Sequence, residues 1–116
     1  MPNDVRSFLW DIQQAADAIG QFIAGVDLRA YSESDLVHSA VERKFEITGE
    51  ALGQIAKRNP DLVRRVPDFR EIIAFRNILI HGYASIAHER VWEAARASLP
   101  SRRAAVAALL RELGPP

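Results

Sequence analysis

The feature that most constrains this chain is a one-sided apolar stripe over residues 5–26. Val5, Phe8, Leu9, Ile12, Ala15, Ala16, Ile19, Phe22, Ile23 and Val26 recur in steps of three and one. That period is satisfied by a helix with one buried face, so the stripe is a core or dimer seam. The other face carries Asp4, Asp11 and Asp17, whereas a membrane-surface helix needs a basic face there. Asn3 or Asp4 can cap the start, and Gly25 lies near the end.

The remaining segments repeat the theme. A loop is expected through 27–31, with Ser32 and Asp35 as a variant capping box opening a second helix that runs to about Arg58. Its apolar stripe is Val37, Val41, Phe45, Thr48, Leu52 and Ile55. Gly49 and Gly53 interrupt it, costing helicity but permitting close approach of another backbone. Asn59-Pro60 stops this helix, and a short connection with at most one helical turn follows to Pro67. Asp68 then reads as the cap of a third helix whose Ile72, Ile73, Phe75, Ile78, Leu79 and Ile80 cover most of its circumference. Such a helix sits centrally or at a subunit interface. His81-Gly82 marks its end, Ser85 can cap a fourth helix, and Pro100 divides that from a fifth. With no persuasive strand, the reading is a single all-α domain over 1–116, a bundle of four to five helices.

Composition excludes several classes. The chain has 116 residues, 48% hydrophobic and 26% charged, with no Cys. Disulfide scaffolds, Cys-ligated zinc and Cys nucleophiles are therefore out. No apolar run is long enough to span a bilayer, and the early aspartates argue against a signal peptide. The expected location is cytoplasmic. The net charge of zero conceals a division: residues 1–56 hold nine acids and four bases, and residues 57–116 hold eleven bases and six acids. Thirteen of the fifteen bases are Arg, the cation suited to bidentate phosphate contacts. Arg64, Arg65 and Arg70 are candidates for an RNA-binding rim. No metal site is expected, because His38, His81 and His88 lack helical ligand spacing; His38 and His88 read as surface residues. Trp10 and Trp92 border apolar stripes and read as packing anchors. No Gly-rich phosphate loop follows a strand, and no elbow presents a Ser nucleophile.

Chemistry concentrates at Arg76-Asn77-Ile78-Leu79-Ile80-His81-Gly82-Tyr83. Polar, chemically capable side chains interrupt the most apolar helix. Asn77 and His81, four apart, can share a hydrogen bond that orients the imidazole. Arg76 offers a fixed cation for a phosphate or a pentacoordinate transition state. Arg76 and His81 lie about 140° apart around an ideal helix, so in one chain they do not share a face. A helix ending at His81, or a second copy of the chain, would be needed to bring them together. Glu50 is a candidate partner for a motif Arg.

Arg76-x4-His81-x-Tyr83 resembles the signature of HEPN-domain ribonucleases, specifically the HepT-like toxin family. Ile47-Thr48-Gly49-Glu50-Ala51, the lead-in Arg70 to Asn77, Val91-Trp92-Glu93 and Leu99-Pro100 resemble that family's landmarks in order. Gly82 stands where many relatives have Asp, and Asp68-Phe69 where Pro-Trp is common; neither touches Arg76, His81 or Tyr83.

The resemblance implies a HEPN-type homodimer acting as a metal-independent endoribonuclease without a cofactor. Arg76 and His81 of both subunits would line one cleft, with Asn77 supporting His81 and Tyr83 at the mouth. It also implies a cognate minimal nucleotidyltransferase antitoxin that transfers AMP to Tyr83. Two other readings stand beside it: a non-catalytic HEPN subunit binding nucleotide or substrate for a nucleotidyltransferase, and a purely structural dimerisation bundle.

Overall fold

The computed structural model describes residues 4–81 and 87–114. All regular structure among them is helical, as expected. The elements are α1 (Val5–Ile23), α2 (Leu28–Glu33), α3 (Asp35–Arg58), α4 (Pro60–Val63), α5 (Phe69–His81), α6 (His88–Glu93) and α7 (Leu99–Leu113). A π-helical turn, Ala94–Ser98, joins α6 to α7. Four long rods thus make the bundle: α1, α3, α5 and the α6–α7 rod. No described helix is long and apolar enough to cross a membrane.

Asp4 caps α1. Its side chain accepts from the Arg6 N–H at 2.9 Å and pairs with Arg6 Nη2 at 2.7 Å. Gly25 terminates the helix region with φ +71°, a conformation that glycine adopts without steric cost. The stripe of α1 is buried as its period demands: Leu9, Ile12, Ala15, Ala16 and Ile19 enter the core against α3 and α7.

The next segment departs from expectation. Residues 28–33 are a helix capped by Asp27, whose Oδ1 accepts from Ala30 N at 2.8 Å. Ser32 lies inside that helix, so Ser34 caps α3 instead, accepting from Val37 N at 3.1 Å. The short helix carries Tyr31 into the core, fully buried. Asn59 then ends α3 and caps α4, with Oδ1 accepting from Leu62 N at 3.1 Å.

Asp68 adopts φ +62°, the left-handed region that Asp tolerates better than most residues. Its backbone carbonyl accepts from Ile72 N at 3.0 Å as α5 begins. Only Ile72 and Phe75 of α5 are buried; Ile73, Ile78 and Leu79 are half-buried and Ile80 is 44% exposed. In the single chain this apolar helix is therefore incompletely covered.

Ser85 as a helix cap lies outside the described residues. Pro100 does not break the last rod, because it falls in the first turn of α7, where a missing N–H costs little, directly after the π turn. Trp92 is a packing anchor, its Nε1 donating to the Val26 carbonyl at 3.2 Å.

Two residues sequence reasoning placed on the surface, His38 and His88, are drawn together. Their rings stack with centroids 4.1 Å apart, and the His38 side chain is 14% exposed. Arg102, unremarked in the sequence, is buried beneath the Phe45 ring at 5.9 Å. Burial pushes its pKa down from the ordinary guanidinium value, opposed by the charge of Asp68.

The two interrupting glycines differ. A Cβ on Gly49 would lie 2.4 Å from Arg76 Cβ and 3.1 Å from the Ile72 carbonyl oxygen, whereas one on Gly53 would meet nothing within 4 Å. Gly49→Ala should therefore destabilise the fold by about 1–3 kcal/mol through overpacking. Gly53→Ala should stabilise it by about 0.5–1 kcal/mol through helix propensity. Urea denaturation of both variants tests this contrast.

The Arg6 hydrogen bonds hold the Asp4 carboxyl below its usual 3.8, at about 2. A depressed folded-state pKa contributes stability above pH 4 that is lost as the pH falls towards 2. Asp4→Asn, which keeps a capping oxygen, should lower the melting temperature at pH 6 and match wild type near pH 2.

Candidate active site

Arg76 emerges from α5 onto the bare backbone of Gly49. The next residue of α3, Glu50, reaches it: Glu50 Oε2 lies 2.8 Å from Arg76 Nη2. This is the pairing expected from sequence. Arg76 Nη1 also donates to Asn77 Oδ1 at 3.3 Å, tying two motif residues together. Its buried Nε has no hydrogen-bond partner among the described residues. The guanidinium is thus held by its neighbours while each Nη keeps a second N–H, donor capacity suited to an arriving anion.

Arg76 opens into a groove of about 490 Å³ between α1, α3 and α5. The α3 wall is built at helical spacing, from Arg43, Ile47, Glu50, Gln54 and Arg58. Gln54 Nε2 donates to Glu50 Oε1 at 3.2 Å, and Arg58 donates to Gln54. The Arg58 guanidinium lies 5.0 Å from the centre of the Phe8 ring, a cation–π contact. A polar chain thereby runs from Arg76 through Glu50 and Gln54 to Arg58.

Sequence reasoning missed Arg43 and Arg58 as groove cations. Their signal was available in the 43–47–50–54–58 steps of four and three, which place these residues on one side of α3. Arg64, Arg65 and Arg70 are not among the residues lining the groove. Arg64 pairs with Asp61 at 3.0 Å, Arg65 pairs with Glu112, and Arg70 lies over Phe69. The Glu112 carboxylate raises the Arg65 pKa above its ordinary value.

His81 is the exposed last residue of α5. Because the helix is continuous from Arg76 to His81, the two remain about 140° apart around its axis. Gly82 and Tyr83 lie outside the described residues.

The comparisons with known proteins bear on this arrangement. The family described as HepT-like ribonucleases matches residues 12–109, a span that includes Glu50, Arg76 and His81. The chain belongs to the HepT-like ribonuclease family. It is 32% identical over 99 residues to putative RNase MJ1380 of Methanocaldococcus jannaschii, covering 84% of this chain and 88% of that protein. It is 29% identical over 110 residues to putative RNase MJ0125 of the same organism, covering 95% and 94%. Probable ribonuclease HepT of Thermococcus cleftensis is 28% identical over 101 residues, covering 87% and 91%. No solved structure matches the chain. Membership makes this HepT-like protein an endoribonuclease, with an all-α HEPN-type bundle as its scaffold.

For a ribonuclease, the Glu50–Arg76 pair has a direct consequence. The carboxylate takes up donor capacity of Arg76 and adds negative charge to the groove, so an anion entering the groove would compete with it. Glu50→Gln should therefore bind an RNA oligonucleotide several-fold more tightly in fluorescence anisotropy. Folding should change little, because Glu50 is exposed and Gln keeps an oxygen for Arg76, and ion pairs with an exposed partner contribute at most about 1 kcal/mol.

Proposed function

We propose that the chain is a metal-independent endoribonuclease toxin of a toxin–antitoxin pair, acting as a homodimer whose composite cleft takes RNA. The observation that carries this reading is the placement of Arg76 and His81 on different sides of one incompletely covered helix. Their side chains leave α5 about 140° apart, and two copies of α5 packed together would bring both groups to a single phosphate. The half-buried Ile73, Ile78 and Leu79 and the exposed Ile80 give such packing an apolar surface to bury. One domain over 1–116 accommodates all of these parts.

The chemistry follows from the residue types. His81 takes the proton of an RNA 2′-hydroxyl, and the 2′-oxygen attacks the adjacent phosphorus. Arg76 stabilises the negative charge gathered on the phosphorane oxygens. The bond from phosphorus to the 5′-oxygen breaks, and His81 of the partner subunit returns a proton to that leaving oxygen. The products are a 2′,3′-cyclic phosphate and a 5′-hydroxyl. Asn77 supports the site through its bond to Arg76. The acids and bases come from protein side chains, so the reaction calls for no cofactor.

In this reading the antitoxin is a minimal nucleotidyltransferase that places AMP on Tyr83. A bulky anionic group two residues from His81 would obstruct the cleft and compete for its arginines. RNA is the substrate, the working unit is a dimer or a higher assembly of dimers, and the cytoplasm is the site of action.

RNA cleavage by protein expressed without its antitoxin tests the proposal. Wild type should cut in EDTA and leave cyclic-phosphate ends. Arg76→Ala should lower kcat by about 10²–10³-fold, the usual loss of one oxyanion donor. His81→Ala should lower it by about 10²–10⁴-fold, as for loss of a general acid–base. Tyr83→Phe should cleave normally and accept no AMP. Nucleotide binding by a folded wild-type dimer that never cuts RNA would instead identify a non-catalytic subunit of a nucleotidyltransferase complex.

A further inference from the structure

The stacked histidines lie in a second polar cluster, distinct from the groove. His38 and Glu42 stand four residues apart on α3, and His88 begins α6. One potential ligand atom from each of these three residues lies within 4.8 Å of the others. Tyr31 of α2 closes the cluster from the core, its ring edge-on to His88 at 6.0 Å and tilted against His38 at 6.2 Å. The cluster begins twelve residues before Glu50 on α3, about 18 Å along the helix axis.

Its hydrogen bonding is incomplete in a particular way. His38 Nδ1, His88 Nδ1 and the Tyr31 hydroxyl are buried and have no hydrogen-bond partner among the described residues. Tyr31 is fully buried. His38 Nδ1 faces Glu42 Oε2 at 3.4 Å without hydrogen-bond geometry. Native interiors rarely leave three polar atoms unsatisfied in one place, and a site for a bound ion is one of the few explanations. The other nitrogen of His38 is occupied: Nε2 lies 3.1 Å from Asp35 Oδ1. An N–H on Nε2 directed at a carboxylate leaves Nδ1 as a lone-pair donor, the pattern seen where a carboxylate orients a metal-binding imidazole.

We propose that His38, Glu42 and His88 bind a divalent transition-metal ion of the zinc class, with water as the fourth ligand. Two imidazoles and one carboxylate match the donor set zinc accepts, whereas magnesium and calcium demand oxygen ligands. Ligand atoms at about 2.0–2.1 Å around a tetrahedral ion stand roughly 3.3 Å apart. The cluster closes to that size by side-chain rotation. The buried Tyr31 hydroxyl, which has no hydrogen-bond partner among the described residues, is available to donate to a carboxylate held beside it. The ion joins residues 50 apart in sequence and anchors the start of α6 to α3, just beyond the segment that carries Tyr83. Its role is to hold the fold there, separate from the Arg76 groove.

The test is zinc titration of the full-length protein, first stripped with a chelator that is then dialysed away. Calorimetry should show one zinc per chain, and the melting temperature should rise with zinc concentration but not with magnesium. Cobalt substituted for zinc should show the intense visible d–d bands of tetrahedral coordination. His88→Ala should abolish binding, and Glu42→Gln should weaken it at least tenfold. Both variants are checked for native helicity by circular dichroism; if His88→Ala fails to fold, Glu42→Gln and the wild-type cobalt spectrum decide. Absence of zinc uptake by wild type, or of the tetrahedral cobalt bands, overturns the proposal. So does unchanged uptake by folded His38→Ala and His88→Ala variants. Binding lost only in His81→Ala would place the metal at the motif histidine and equally overturn it.

Discussion

Gly49 and Arg76 share a contact in which one side must be only backbone. A glycine inside α3 sacrifices up to about 1 kcal/mol of helix propensity relative to alanine. In return α5 approaches until Arg76 Cβ occupies the space a side chain would fill. This closeness puts Glu50 within 2.8 Å of the Arg76 guanidinium and sets the floor of the groove. Gly53, one turn later, faces open space; the same residue type in the same helix has no such role.

The contact is held by packing one turn away along the same α3–α5 interface. Phe75 meets Phe45 edge to face at 5.4 Å, fixing the register of α5 on α3. Beyond Phe45 lies the Arg102 guanidinium from α7. Its burial is costly, and both the aromatic face and the charge of Asp68 act to retain the cation. Asp68 occupies a left-handed conformation at the entrance to α5. The start of the site-bearing helix, its aromatic contact and the last helix are therefore coupled through a short series of residues.

Part of the local geometry was legible. The motif spacing singled out Arg76, Asn77 and His81 as candidates, and Gly49-Glu50 was visible as a close-approach residue followed by a potential partner, which the contacts of both with Arg76 bear out. The angular offset of about 140° between Arg76 and His81 also followed from helix geometry alone, and α5 runs unbroken from one to the other before ending at His81. The groove cations were harder to identify. Arg64 and Arg65 looked available because charge runs conceal their partners: Asp61 is three residues away, but Glu112 comes from the far end of the chain. Arg43 and Arg58 share a helix face with Glu50, yet that face could equally have met solvent.

By itself the sequence determined the helical class, the buried stripe of α1 and the chemical identity of the motif, because periodicity and local spacing act within a few turns of helix. It misplaced the capping of α3, since Ser32 and Ser34 are both suitable and the choice depended on whether 28–33 would fold around Tyr31. Tertiary structure alone decided the meeting of His38 with His88, the burial of Arg102 and the different environments of Gly49 and Gly53. Each depends on contacts between elements distant in the chain. Local propensity has no access to such contacts; they arise only when the apolar stripes have packed.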